Sequence, residues 1–295
     1  MASIGFIGLG NMGLPMAQNL VKAGHAVKGF DIQSFAIEKL AAAGGKAASS
    51  IADACSGADA VVTMLPAGDQ VRASYLGDAG VISNAKAGAV LIDSSTIDVE
   101  TARAVAKSAG EKGLAMLDAP VSGGVGGAQA ATLTFMVGGA DDAFARAKPI
   151  LDAMGKTVVH AGGSGNGQAA KICNNMILGI SMIAVSEGFL LAEKLGLDAQ
   201  KLFDISSKSS GQCWSLTNYC PVPGPVPSSP ANRDYQAGFT AAMMLKDLKL
   251  AQEAARASAA VTPLGAGAAA LYGQYVGEGK AAEDFSGIIR YLRGH

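Results

Sequence analysis

The chain has 295 residues, 49% apolar and 16% charged, with a formal net charge of −1. That length suits two domains with sizeable cores, and a near-neutral balance excludes bulk electrostatic attraction to nucleic acid or an anionic membrane. The four cysteines form no C-x-x-C and the three histidines form no H-x-x-x-H, so neither a metal site nor a disulfide framework is expected, and a reducing compartment is the simpler reading.

The opening stretch MASIGFIGLGNMG is apolar and glycine-rich, with no basic start. It reads as a first strand and turn and not as a signal peptide, so the expected location is cytoplasmic. SIGFIGLG is a buried strand, NMGLPMAQNLVKAG a helix ending at Gly24, and AVKGFD a second strand. Residues 34–43 and 49–56 read as helical. DAVVTMLP and GAVLIDSST are strands, DVETARAVAKSAGEKG is helical, and LAMLDAP and TLTFMVGG are strands again. This alternation predicts an α/β domain over residues 1–163, a parallel, doubly wound sheet of Rossmann type.

From about Gly165 the texture changes. Helical patterns cover 167–195, 198–208, 239–258 and 264–278, and no strong strand signal remains. Residues 164–295 are therefore expected to form an all-helical domain, with the junction in the cluster AGGSGNG. The uncharged run from Ile172 to Ser186 is shorter than the ~18–20 residues of a membrane span, and is read as a core helix. Five prolines between 221 and 230 exclude a helix there.

Gly8, Gly10 and Gly13 stand in G-x-G-x-x-G spacing after an apolar strand and before a helix. In a dinucleotide site the first glycine allows a tight turn, the second lets the backbone approach pyrophosphate, and the third packs helix on strand. Asn11 and Met12 lie inside this loop. Asp31 follows eighteen residues after Gly13, where a carboxylate accepts hydrogen bonds from the adenosine ribose. DIQS holds no arginine for a 2′-phosphate, so NAD is favoured over NADP. A plain glycine turn with Asp31 as a strand-end cap is the competing structural reading. Leu65, Pro66 and Gln70 after one strand, and Thr96 after the next, are assigned to the same carboxyl edge and the same cofactor.

Hydride transfer from an alcohol also needs a base for the hydroxyl proton. His25 sits in the turn KAGHAV, His160 ends a strand and His295 is the terminal residue, and each reads as structural. Lys171 heads the uncharged helix, with Asn174 and Asn175 on its face. Desolvation would lower its pKa from ~10.4 towards a useful ~7–8. A lysine snorkelling at a helix edge is the alternative on this stretch alone.

FIGLGNMGLPMAQNLVKAGH, DAPVSGGVGGAQAATLTFMVGG, GNGQAAKICNN and MLKDLKLAQEAA together resemble the β-hydroxyacid dehydrogenase family, end to end. SSGQCWSLTNYCPVPG is most similar to its 3-hydroxyisobutyrate dehydrogenase branch. The resemblance implies Lys171 as catalytic residue and a substrate-carboxylate loop at Ser122, Gly123 and Gly124. It implies substrate contacts from Asn175, Trp214, Tyr219 and Asp247, and Lys246 near the nicotinamide. It further implies NAD-dependent oxidation of 3-hydroxyisobutyrate to methylmalonate semialdehyde in valine breakdown, by a homodimer or homotetramer. Another 3-hydroxy acid such as L-serine, or a short semialdehyde, is the alternative substrate. A non-catalytic NAD-binding module is the reading from another class. Related 6-phosphogluconate dehydrogenases carry an acid seven residues beyond the lysine. Leu178 stands there instead, which argues against oxidative decarboxylation. Cys220 replaces an asparagine usual in close relatives.

Overall fold

The computed structural model describes residues 1–294, so the C-terminal His295 lies outside the described residues. The chain divides into two compact units, Met1–Lys171 and Ile172–His295. The first holds β1 (Ser3–Ile7), β2 (Ala26–Phe30), β3 (Lys46–Ala47), β4 (Ala60–Thr63), β5 (Val90–Asp93), β6 (Ala115–Asp118), β7 (Val121–Ser122), β8 (Leu133–Gly138) and β9 (Gly155–Gly162).

Six strands are parallel, in the order β3-β2-β1-β4-β5-β6. This is the order of a dinucleotide-binding sheet. The sheet is not parallel throughout, as the alternation of elements suggested. β8 runs antiparallel to β6 and to β7, and β9 pairs parallel with β8. The short chain from β6 through β7 leaves no helical crossover of the length that a parallel neighbour requires.

The double winding follows from a side-chain period of two. Ala60 and Val62 of β4 join Val90 and Ile92 of β5 in one core cluster, with Met16 and Leu20 of the helix Gly13–Lys22. Ala147 and Leu151 of the helix Asp141–Asp152 belong to that cluster too. Val61 and Leu91 point the other way. They meet Val71 and Tyr75 of the helix Gly68–Leu76, and Val105 of Val99–Glu111. Each fully buried Val, Leu or Ile contributes roughly 1.5–3 kcal/mol, so strands buried on both faces hold the sheet rigid beneath its loops.

The parallel strands finish in line. Ile7 is opposite Phe30 and Thr63, Thr63 is opposite Asp93, and Asp93 is opposite Asp118. The loops after these residues therefore all leave one carboxyl edge, where ligands of such sheets bind.

In the second unit, helices Ala199–Ser206, Ala241–Ala257, Pro263–Tyr275 and Ile288–Gly294 accompany the long helix Asn166–Lys194, which begins in the first unit. That helix is not a wholly buried core helix. Ile172, Met182, Ile183 and Phe189 are buried, but Ile177 and Leu191 are exposed. At 29 residues it is long and apolar enough to cross a membrane by length and composition alone. Its buried Gln168, Lys171 and Asn175, and its packing of Met182 and Ile183 against Met244, Leu248 and Tyr272, identify it as a core helix with one bare side.

The proline-rich stretch is ordered by its own bonds. Ser229 Oγ donates to the Cys220 carbonyl at 2.6 Å, Tyr235 donates to the Pro221 carbonyl at 2.7 Å, and Asn232 accepts from Gly224 N at 2.9 Å. Val222 and Val226 anchor it beside Phe189 and Leu216.

Candidate active site

The glycine loop obeys its expected mechanics. Gly8 has φ +91°, open to glycine, and its N–H donates to the Phe30 carbonyl at 2.9 Å. A Cβ on Gly13 would strike the Gly8 carbonyl, so the helix can start against the strand only with glycine there. A Cβ on Gly10 would meet no protein atom within 4 Å. Among the described residues no packing demands that glycine, and the space before it is open for a ligand. The helix Gly13–Lys22 has no acidic residue in its first turn and no side-chain cap, which suits a diphosphate at its positive end.

Asp31 is half-buried at the end of β2. One carboxylate oxygen accepts from Leu9 N at 2.6 Å and the other from Gln33 N at 2.8 Å. It therefore ties the glycine loop to the second strand. Each oxygen keeps a lone pair for a further donor. Asn11, Pro66 and Gln70 are exposed, and Met12, Leu65 and Thr96 are half-buried.

Behind the edge lies a polar network that periodicity and spacing did not reveal. Asp93 is fully buried. Its Oδ1 accepts from Thr63 Oγ1 at 2.7 Å, from Ser95 Oγ at 2.6 Å and from Ser95 N at 3.2 Å, and Thr63 also meets Tyr75 Oη at 2.9 Å. Ser95 Oγ accepts from Leu65 N at 2.8 Å, joining two of the cofactor-side loops. Burial, with the Asp118 carboxylate in support, holds Asp93 above the usual carboxylate range.

Asp118 caps the long helix from β6. Its oxygens accept from Gly165 N at 2.7 Å and from Gln168 N at 2.8 Å. Burial raises its pKa against the pull of these N–H groups. Gln168 is fully buried, and its carboxamide bonds to the backbone of Ser95 and Ile97. Lys171, three residues on, is only 7% exposed. The helix thus ties its first turn, three residues before Lys171, to the segments that follow β5 and β6 in the first unit.

Ser122 ends β7 and is half-buried. Gly123 and Gly124 have φ +127° and +60°, a pair of conformations that orients successive N–H groups in a turn. In the second unit, Asn175 donates to Asp247 at 2.5 Å, and both are buried. Asp247 therefore acts on Asn175, and its Oδ1 lies 3.8 Å from Lys246 Nζ. Trp214 is 51% exposed and stacks on Tyr219 at 5.0 Å. The Tyr219 hydroxyl is committed elsewhere than to a pocket, since it donates to the buried Asp284 at 2.9 Å.

His25 Nδ1 accepts from Ala2 N at 3.3 Å. His160 stacks on Phe144 and lies 2.8 Å from the Gly139 carbonyl. A concavity among Met1, His25, Asp59, Lys86 and Arg146 opens at the amino edge of the sheet, away from the glycine loop.

A strand order 3-2-1-4-5-6, a glycine loop on a helix N-terminus and a lysine held at the carboxyl edge define a dinucleotide-dependent oxidoreductase. Residues 3–163 match the NAD-binding domain of 6-phosphogluconate dehydrogenase, and 165–292 match the NAD-binding domain of NADP-dependent 3-hydroxyisobutyrate dehydrogenase. Two Pseudomonas aeruginosa proteins are similar over nearly full length. A 3-hydroxyisobutyrate dehydrogenase is 50% identical, covering 100% of this chain and 99% of its own. An NAD-dependent L-serine dehydrogenase is 49% identical, covering 97% and 96%. The structure of Mycobacterium tuberculosis 3-hydroxyisobutyrate dehydrogenase with L-serine is 50% identical, with a TM-score of 0.95 over 99% of both chains. The chain belongs to the β-hydroxyacid dehydrogenase family that contains the 3-hydroxyisobutyrate dehydrogenases, and is an NAD-dependent hydroxyacid dehydrogenase.

Proposed function

We propose that this chain oxidises 3-hydroxyisobutyrate to methylmalonate semialdehyde with NAD, a step of valine breakdown in the cytoplasm. The observation that carries the reading is the buried Lys171 on a helix fastened to the carboxyl edge through Asp118 and Gln168. Gly8, Gly10, Asn11, Met12 and Gly13 would hold the diphosphate, and Asp31 the adenosine ribose, with Leu65, Pro66, Gln70 and Thr96 along the same edge. Bound there, NAD supplies the hydride acceptor. The Ser122 hydroxyl and the N–H groups of Gly123 and Gly124 receive the substrate carboxylate. Lys171 takes the hydroxyl proton. The substrate roles of Asn175, Trp214, Tyr219 and Asp247, and the nicotinamide role of Lys246, rest on family resemblance.

L-serine is the second reading, because one solved relative is a complex with L-serine and another relative is an NAD-dependent L-serine dehydrogenase. The test is the initial rate of NAD reduction at mildly alkaline pH with both acids in parallel and NADP as control. Higher kcat/KM for 3-hydroxyisobutyrate supports the first reading, and higher kcat/KM for serine replaces it. Lys171→Ala should cut turnover by about 10²–10⁴-fold while NADH still binds; near-normal turnover would remove Lys171 as the base. The exposed Ile177 and Leu191 on the long helix support self-association as a dimer or tetramer, which light scattering would test.

A further inference from the structure

Gln168 makes three contacts that lead to different parts of the first unit. Its backbone N–H donates to Asp118 on β6. Its Nε2 donates to the Ser95 carbonyl at 2.7 Å, and its Oε1 accepts from Ile97 N at 3.1 Å. One carboxamide therefore brackets Thr96 on both sides, as a neighbouring strand would. Ser95 in turn holds Leu65 N and is held by Asp93. The other end of Gln168 is the first turn of the helix that carries Lys171, one turn further on the same face. We propose that Gln168 is a positioning residue that sets Lys171 against the Ser95–Ile97 backbone and thereby aims its amine at the reacting hydroxyl.

The side-chain chemistry is restrictive. The site needs a donor for a carbonyl and an acceptor for an N–H at once, at the end of a long side chain. An ionised carboxylate would face the Ser95 carbonyl with no proton to give, and lysine has no acceptor. A helix transmits a displaced first turn to the next because its peptide units are linked by i to i+4 bonds. The inference rests on Lys171 being the base.

The test uses the full chain as wild type, Gln168→Met, Gln168→Glu and Lys171→Ala. Each is assayed from pH 6 to 9 with NAD and whichever hydroxy acid the wild type turns over, alongside NADH binding by fluorescence and thermal unfolding. Gln168→Met keeps the length and loses both bonds; kcat should fall about 10²-fold, while KM and NADH affinity stay within about threefold. Gln168→Glu restores a donor only when its carboxyl is protonated. The charged groups around this helix start are the carboxylates Asp118, bonded to the residue's own N–H, and Asp93 behind Ser95, with Lys171 one turn on and Arg103 on the Ser164 carbonyl. Both carboxylates oppose its ionisation. Turnover of this variant relative to wild type should therefore rise as pH falls.

Wild-type kcat and wild-type pH profile in both variants, with only a lowered melting temperature, would make Gln168 a scaffold residue and overturn the proposal. If Gln168→Met does not fold, the pH profile of Gln168→Glu decides. A strong loss in Lys171→Ala beside normal Gln168 variants removes the positioning role alone. Normal turnover in Lys171→Ala removes the base, and this inference with it.

Discussion

Asn175 and Asp247 are joined by a 2.5 Å hydrogen bond from the asparagine amide to the carboxylate, across 72 positions of sequence. The Asn175 carbonyl oxygen accepts from Asn174 at 2.9 Å. Asp247 Oδ1 has no hydrogen-bond partner among the described residues, and Lys246 stands within ion-pair reach of it but beyond bonding distance. The asparagine is thus held by a buried acid that needs a donor.

Asn175→Asp tests that need. Two carboxyl groups would meet in a buried place, and one must keep its proton. A raised folded-state pKa contributes stability that is full below the unfolded value and lost as pH rises through the folded one. The variant should lose about 2–4 kcal/mol at pH 7.5, and less towards pH ~5, in urea unfolding. An equal loss at both pH values would show that the two groups do not share a proton.

The glycine loop separates folding from cofactor binding. Gly13→Ala forces a Cβ into the Gly8 carbonyl and should lower stability by about 1–3 kcal/mol. Gly10→Ala meets no protein atom, so it should unfold like wild type and raise the KM for NAD by about tenfold or more, a loss of over ~1.4 kcal/mol of binding. Unchanged KM in Gly10→Ala would place the dinucleotide elsewhere.

Asp31 is asked to do two things, order the loop through Leu9 N and recognise the ribose. Asp31→Arg should reduce kcat/KM with NAD and raise it with NADP, each by about tenfold. Asp31→Asn retains an acceptor for Leu9 N and should alter NAD use without gaining NADP use. Steady-state kinetics with both nucleotides check this, and an unchanged cofactor ratio in Asp31→Arg would leave Asp31 as a loop tie only.

Glu283 fastens the end of the second unit, meeting Lys280 at 2.8 Å, Arg290 at 2.7 Å and the Tyr275 hydroxyl at 2.8 Å. Burial pushes its pKa up, but these partners outweigh burial and hold it below the ordinary 4.5. A lowered pKa means stability present above the unfolded value and lost as pH falls through the folded one. Glu283→Gln should cost about 1–2 kcal/mol at pH 7 and little near pH ~3. Chemical unfolding at the two pH values measures the difference. A cost independent of pH would assign the effect to shape and not to charge.

The sheet was legible where its pattern is local. The short continuous apolar runs VVTM and VLID, as strands buried on both faces require, and the glycine spacing after β1, carry their structure within a few residues. β9 was legible only as a strand ending at His160, because Lys156 and Thr157 interrupt its apolar pattern; it begins at Gly155 and runs on to Gly162, with irregular pairing to β8. The helix Asp141–Asp152 was missed because it contains Pro149. The helices Gly68–Leu76 and Ile288–Gly294 are short and mixed in polarity. Within the site, glycines and lysine stood out by type and position. Asp93, Ser95, Asp118 and Gln168 did not, because Gln168 gains its meaning from partners 50, 71 and 73 residues away. One signal was available: aspartate closes two successive apolar strands, LID and MLD, where a buried acid demands donors. Tyr219 and Asp247 were read as facing substrate, and each has a structural partner that lies far off in sequence.

The sheet's two outermost strands are both poor templates. β3 is only two residues long, exposed, and includes a lysine. β9 carries an exposed Lys156 and shifts register twice against β8. Neither offers another chain a long, flat row of unsatisfied peptide groups. The irregular margin that interrupts the parallel order therefore also guards a crowded solution of this protein against edge-to-edge stacking into fibrils.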